Sequence, residues 1–81
     1  MDIDFKIYPN PASEQITVEF LGSTGDPIGI EIINILGVPV LTQKNVTGNS
    51  ATFNIVAFGK GAYIIRCHQN GVTKTTKFIK H

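Results

Sequence analysis

Apolar side chains recur at every second position through most of this chain. Ile16, Val18 and Phe20, for example, alternate with Thr17 and Glu19. Successive side chains of a β-strand point to opposite faces, so this period of two predicts strands with one buried face, which β-branched and aromatic residues suit well. No segment shows the apolar spacing of a helix. The pattern predicts seven strands, near residues 4–8, 15–21, 28–35, 38–43, 51–56, 62–69 and 72–80.

Glycine, proline and asparagine separate these strands. Pro9-Asn10-Pro11 ends the first strand, because proline lacks an N–H, and Asn10 is expected to hydrogen-bond its own backbone in an Asx-type turn. Asn70-Gly71 lies between two strand-like runs and favours a type I′ hairpin turn, in which both residues need a positive φ. Short strands separated by such turns predict an all-β, immunoglobulin-like β-sandwich of about seven antiparallel strands.

Length and composition narrow the functional classes. A chain of 81 residues forms a single domain, and its 42% hydrophobic and 16% charged residues exclude a disordered, highly charged segment. A net charge of +1 gives no electrostatic basis for binding nucleic acid, and no apolar run suits membrane insertion. The acidic stretch after Met1 is unlike a signal peptide. Because a strand begins almost directly after Met1, we expect a domain excised from a larger protein.

Cys67 is the only cysteine in the sequence, and it bears on whether the domain could be an enzyme. A single cysteine forms no intrachain disulfide and offers no pair for a zinc ion. Its neighbour His68 must point to the opposite face of a strand, so the two cannot act as a nucleophile and its base. We therefore predict a non-enzymatic domain that uses no cofactor or metal.

Three blocks of sequence carry a family resemblance. They are Tyr8-Pro9-Asn10-Pro11, then Ile30 to Val40 with Gly37 at its turn, and finally Gly61-Ala62-Tyr63 with the strand Val72 to Lys80. In this order and spacing, the chain resembles the type A C-terminal sorting domains of proteins exported by the type IX secretion system. The likeness runs from Tyr8 to Lys80. Two departures are Val38, where the family commonly has lysine or arginine, and Ala57-Phe58-Gly59-Lys60, where it often has leucine-proline.

The resemblance implies a delivery signal. Residues 1–81 would form one C-terminal sorting domain fused to an N-terminal cargo protein. The cargo would fold in the periplasm, and the outer-membrane translocon of the type IX machinery would recognise the domain. A cell-surface sortase-like peptidase would then remove it, leaving the cargo secreted or attached to lipopolysaccharide at the cell surface.

Two segments are candidate recognition elements. The last strand is amphipathic and edge-like, which suits pairing with a receptor strand as well as weak homodimerisation; its candidate residues are Lys74, Lys77, Phe78, Ile79 and Lys80. The other segment is Pro9, Asn10 and Pro11, for which a purely structural role is slightly favoured over recognition. Residues expected to serve the fold alone are Gly37, Gly61, Tyr63, Asn70 and Gly71.

Two other functions compete with sorting. Small β-sandwiches also serve as carbohydrate-binding or adhesion modules, but those need exposed aromatic rings, and this chain has no tryptophan and two tyrosines. A structural spacer is the second alternative, and its position within the parent protein would distinguish it.

Overall fold

A computed structural model of the chain describes residues 4–21 and 26–81 and confirms the all-β prediction. All seven predicted strands are present, with ends that differ from expectation by at most three residues. They are β1 (Asp4–Tyr8), β2 (Gln15–Leu21), β3 (Ile28–Ile33), β4 (Pro39–Val46), β5 (Ser50–Asn54), β6 (Gly61–Gln69) and β7 (Val72–Lys80). In the described ranges there is no helix long and apolar enough to cross a membrane.

The strands form two antiparallel sheets. One sheet has the order β1-β2-β5, and the other has the order β4-β3-β6-β7. Thus β7 lies at the outer edge of the larger sheet, where it pairs with β6 along its whole length. The two sheets pack face to face, as the immunoglobulin-like prediction requires.

The core lies between the sheets and follows the alternation in the sequence. Ile16 and Val18 from the smaller sheet meet Ile30, Ile65 and further residues of the larger one, and all four are completely buried. Each buried aliphatic side chain contributes roughly 1.5–3 kcal/mol relative to leaving it in water. Hydrophobic burial is therefore what holds the two sheets together.

The hairpin between β6 and β7 confirms its prediction. Asn70 and Gly71 have φ values of 52° and 80°, the left-handed values that a type I′ turn demands. The β3 prediction was two residues too long. Ile33 ends the strand, and Ile35 belongs to the following turn.

The directions of the strands define two ends of the sandwich. β1 runs from Asp4, opposite Leu21, towards Tyr8, and the chain then reaches Ala12, which bridges Lys80 at the end of β7. The last residues of β7 pair with the start of β6, beside the β3–β4 turn. We call this the distal end, because any chain preceding Asp4 enters at the opposite one.

Candidate functional site

The two candidate recognition segments are joined in the fold. The Oδ1 atom of Asn10 accepts a hydrogen bond from the backbone N–H of Ile79 at 3.1 Å, although 69 residues separate them. Ala12 continues this contact: its N–H donates to the carbonyl of Ile79 at 2.9 Å, and its carbonyl accepts from the N–H of His81 at 2.8 Å. The expected Asx-type turn is thus corrected to a bond with β7. Both Tyr8-Pro9 and Asn10-Pro11 are cis peptide bonds.

The five candidate residues of β7 are divided between two faces. Phe78 is completely buried, and Lys80 is 8% exposed, with its Nζ atom donating to the carbonyl of His81 at 2.9 Å. Lys74 is half-buried on the same face, whereas Lys77 and Ile79 point outwards and are exposed. The lysines share no common face, because Lys77 is an odd number of residues from the other two. In the folded domain, a partner therefore meets the side chains of Lys77 and Ile79 first.

The outer edge of β7 has a capped part and an open part. Ile79 directs both its N–H and its carbonyl outwards, to Asn10 and Ala12. Backbone groups alternate between the two sides of a strand, so Thr73, Thr75 and Lys77 direct theirs outwards as well. Within the described residues, no strand pairs with these three positions.

The residues assigned to structure lie at turns and in the core. Tyr63 is nearly buried, its hydroxyl donates to the carbonyl of Gly59 at 2.7 Å, and its ring stacks on Phe78 at a centroid distance of 5.5 Å. Gly37 and Gly61 have φ values of 82° and 144°, in the region that disfavours other residues. This geometry supports a role in the fold for these residues.

The chemically reactive side chains do not converge. Cys67 is completely buried in the core, and this burial raises the pKa of its thiol from 9.0 to about 12, whereas His68 is exposed on the opposite face. Arg66 bonds Glu31 on the outer face, with its Nε and Nη2 atoms 3.0 and 2.9 Å from one carboxylate oxygen. In the described ranges, no three potential ligands cluster as a metal site would need.

The aromatic residues bear on the carbohydrate-binding alternative. All seven lie in the described part of the chain, and among them Tyr8 is the exposed one. Its hydroxyl donates to the Oε1 atom of Glu19 at 3.1 Å, a bond that raises the pKa of the tyrosine. Phe5 and Phe58 are half-buried and pack against the core. These rings do not form the exposed aromatic platform that a sugar-binding surface uses.

One exposed surface was missed by the sequence reasoning. Ile35 and Leu36 in the β3–β4 turn are each 80% exposed, and Val38 beside them is also exposed. We call these three residues the apolar tip; it lies at the distal end. The signal was present in the sequence, since Asn34 and Gly37 are typical of a tight turn and place the two residues between them at its apex.

Comparison with known proteins gives the family. The model of the secretion system C-terminal sorting domain matches residues 6–81, which include nearly every residue of the seven strands. A search of curated proteins found no match to the chain. Members of the matched family are non-catalytic sorting signals for type IX secretion, fused to an N-terminal cargo and interacting with the secretion machinery. Because the match spans almost the whole chain, the protein belongs to the family of secretion-system C-terminal sorting domains.

Proposed function

We propose that the folded domain is the sorting signal that directs export of its cargo and is recognised by the outer-membrane translocon of the type IX system. The observation that carries this proposal is the family match over residues 6–81, which covers both candidate recognition segments. The cargo crosses the periplasm and reaches the cell surface or the medium. A sortase-like peptidase removes the domain by cleaving before Asp4, because β1 from Asp4 onwards is paired with β2.

We further propose that the translocon reads the open edge of β7 by strand addition. Thr73, Thr75 and Lys77 offer outward N–H and carbonyl groups, which is what a receptor strand pairs with. The bonds from Asn10 and Ala12 to Ile79 limit how far such a strand could extend. The exposed side chain of Lys77 then supplies a charge beside the pairing site. The same edge would support weak pairing between two copies of the domain.

An export assay tests both parts of this proposal. Residues 2–81 are fused to the C-terminus of a periplasm-directed fluorescent protein in a bacterium that carries the type IX machinery. Deleting the whole last strand would be uninformative, because it removes Phe78 from the core. Thr75→Pro is a more specific change than that deletion, because it removes one outward N–H from the edge and no bond to β6. Thr75→Val is the matched control, because it keeps the N–H and the approximate side-chain shape.

The outcomes separate the two parts. Export of the wild type and of Thr75→Val, with a folded Thr75→Pro retained in the periplasm, would support strand addition at this edge. Equal export of all three would refute the edge as the recognised feature and leave the sorting function intact. Retention of the folded wild-type domain would refute the sorting function itself. Circular dichroism and urea denaturation of the purified variants establish that each is folded.

A further inference from the structure

The apolar tip has no structural reason to be apolar. Polar residues, glycine and proline dominate tight turns because they suit the backbone and the solvent. Ile35 and Leu36 are instead 80% exposed, so neither stabilises the core to any large extent. Exposed clusters of this kind commonly mark surfaces that bind another molecule.

The turn beneath the tip is held in a single shape. The Oδ1 atom of Asn34 accepts hydrogen bonds from the N–H groups of Leu36 at 2.9 Å and Val38 at 3.0 Å. The backbone of Asn34 adds two more bonds, one from its N–H to the carbonyl of Val38 and one from the N–H of Gly37 to its carbonyl, each 3.0 Å long. Because these bonds already fix the backbone of the turn, docking of its side chains requires little further ordering of the backbone.

The apolar surface continues onto the outer face of the larger sheet. Ile64 pairs with Ile33 on one side and with Lys77 on the other, and it is 41% exposed. Ile79, on the same face, is 38% exposed. Between the tip and these residues lies a shallow, mostly apolar depression lined by Asn34, Ile35, Ala62, Tyr63, Ile64 and Lys77.

Two lysines lie beside this surface, and Arg66 bonds the carboxylate of Glu31 on the same sheet face. Lys77 lines the depression, and Lys60 directly precedes the first residue of β6 at the same end of the sheet. Within the part of the chain that the structure describes, neither lysine forms an ion pair with a carboxylate. A partner with carboxylates around an apolar pocket would therefore complement this end of the domain.

The position of the tip argues against the cargo as its occupant. The chain that leads from the cargo enters at Asp4, at the opposite end of the sandwich. The principal extents of the domain are 33 × 22 × 17 Å, so its own body separates that entry point from the distal end. The tip is presented to something that meets the domain from the side away from its cargo.

We infer that the apolar tip is a docking knob, which inserts into an apolar pocket rimmed by carboxylates on a protein of the secretion machinery. This inference rests on the proposed sorting function. It differs from the proposal for the β7 edge, which Lys77 also borders, because it depends on the side chains of Ile35 and Leu36. A lipid surface fits the observations less well, since a bilayer does not require the fixed turn that Asn34 maintains.

The export assay tests the inference with paired variants. The double variant Ile35→Ser/Leu36→Ser is expected to reduce the exported fraction about tenfold or more, as removal of a central apolar anchor does at an interface. Its matched control is Leu21→Ser, which removes an exposed aliphatic side chain at the opposite end and should leave export unchanged. Lys77→Glu should also reduce export, whereas Lys44→Glu on β4 should not; this second pair alters exposed charges and preserves the core.

The results distinguish failure of this inference from failure of the proposed function. Wild-type export with undiminished export of the double variant would overturn the knob alone, whatever Lys77→Glu does, because Lys77 also belongs to the β7 edge. Retention of the wild type would overturn the sorting function and the knob together. A photo-crosslinking residue at position 36 adds a direct readout. An adduct with an outer-membrane component of the secretion machinery is the expected result.

Two other occupants are tested by direct measurement. An adduct formed only between two copies of the domain, with a sedimentation-detected dimer that the double variant abolishes, would overturn the inference in favour of self-association. Binding of the purified domain to anionic phosphatidylglycerol vesicles, lost in the double variant, would overturn it in favour of a lipid surface. We expect no dimer that depends on Ile35 and Leu36, and no binding of the domain to such vesicles.

Discussion

Replacing Asn10 with alanine removes the side-chain bond that joins the first turn to the last strand. The lost bond runs from the N–H of Ile79 to Oδ1 of Asn10 at 3.1 Å. A hydrogen bond of this kind contributes about 0.5–1.5 kcal/mol net, and both residues are exposed, so water can replace the missing acceptor. We therefore expect the free energy of unfolding to fall by about 1 kcal/mol, which corresponds to roughly 4–8 °C in Tm for a domain of this size.

The matched variant is Asn10→Asp, which keeps an acceptor oxygen at the same position. Urea denaturation should place it close to the wild type, while Asn10→Ala unfolds at a lower urea concentration. Amide hydrogen exchange gives a local readout: the Ile79 amide should exchange faster in Asn10→Ala, and the amide of Thr76, which faces β6, should change no more than the global stability requires. Both variants should be exported normally, since a domain with at least about 5 kcal/mol of stability remains folded after losing 1 kcal/mol.

Two results would contradict this reasoning. A loss below about 0.3 kcal/mol in Asn10→Ala would mean that the bond adds nothing measurable to the fold. Normal stability combined with failed export in Asn10→Asp would mean that the translocon reads the amide itself, so that Pro9-Asn10-Pro11 would be a recognition element in its own right.

Three further predictions concern the core and the hairpin. Phe78→Ala should lower the free energy of unfolding by about 3–5 kcal/mol, because it empties a fully buried site, while the exposed Ile79→Ala changes it by far less; urea denaturation measures both. Above pH 9.0 the Cys67 thiol loses its proton in the unfolded chain, whereas in the folded domain its pKa is about 12. The free energy of unfolding should therefore fall as the pH rises above 9.0, by up to about 1.4 kcal/mol per pH unit. Denaturation from pH 8 to pH 10.5 should show a smaller fall in Cys67→Ala. Gly71→Ala should cost about 1 kcal/mol at its φ of 80°, seen as a lower Tm.

The alternation of side chains predicted the strands well because burial of one sheet face is a local property of the sequence. Ile16, Val18 and Phe20 point inwards wherever β2 is placed, since a slip of one residue would expose all three. The Asn70-Gly71 turn was predictable for a similar reason: few other residue pairs accept two positive φ values. Successive side chains of a strand alternate between its faces, so the sequence also predicts that Lys77 lies on the face opposite Lys74 and Lys80.

Local sequence patterns could not predict contacts between segments that are distant in the chain. The sequence suggested that Asn10 would bond its own neighbours, because nothing local showed that the edge of β7 lies beside it. Whether Phe78 or Lys77 reaches a partner likewise depended on which side of β7 packs on the core. The exposure of Ile35 and Leu36 followed from the turn at Asn34, which shortened β3 relative to the prediction.

The sequence by itself determined the class of fold, the positions of the strands and the family, because these depend on periodicity, turn residues and motif order. Tertiary structure alone decided which edge of β7 stays open, how Asn10 and Ala12 cap its end, and that the apolar tip lies at the end opposite Asp4. The physical reason is that edges, caps and exposed surfaces depend on which segments become neighbours. That choice is made by the packing of the whole sandwich.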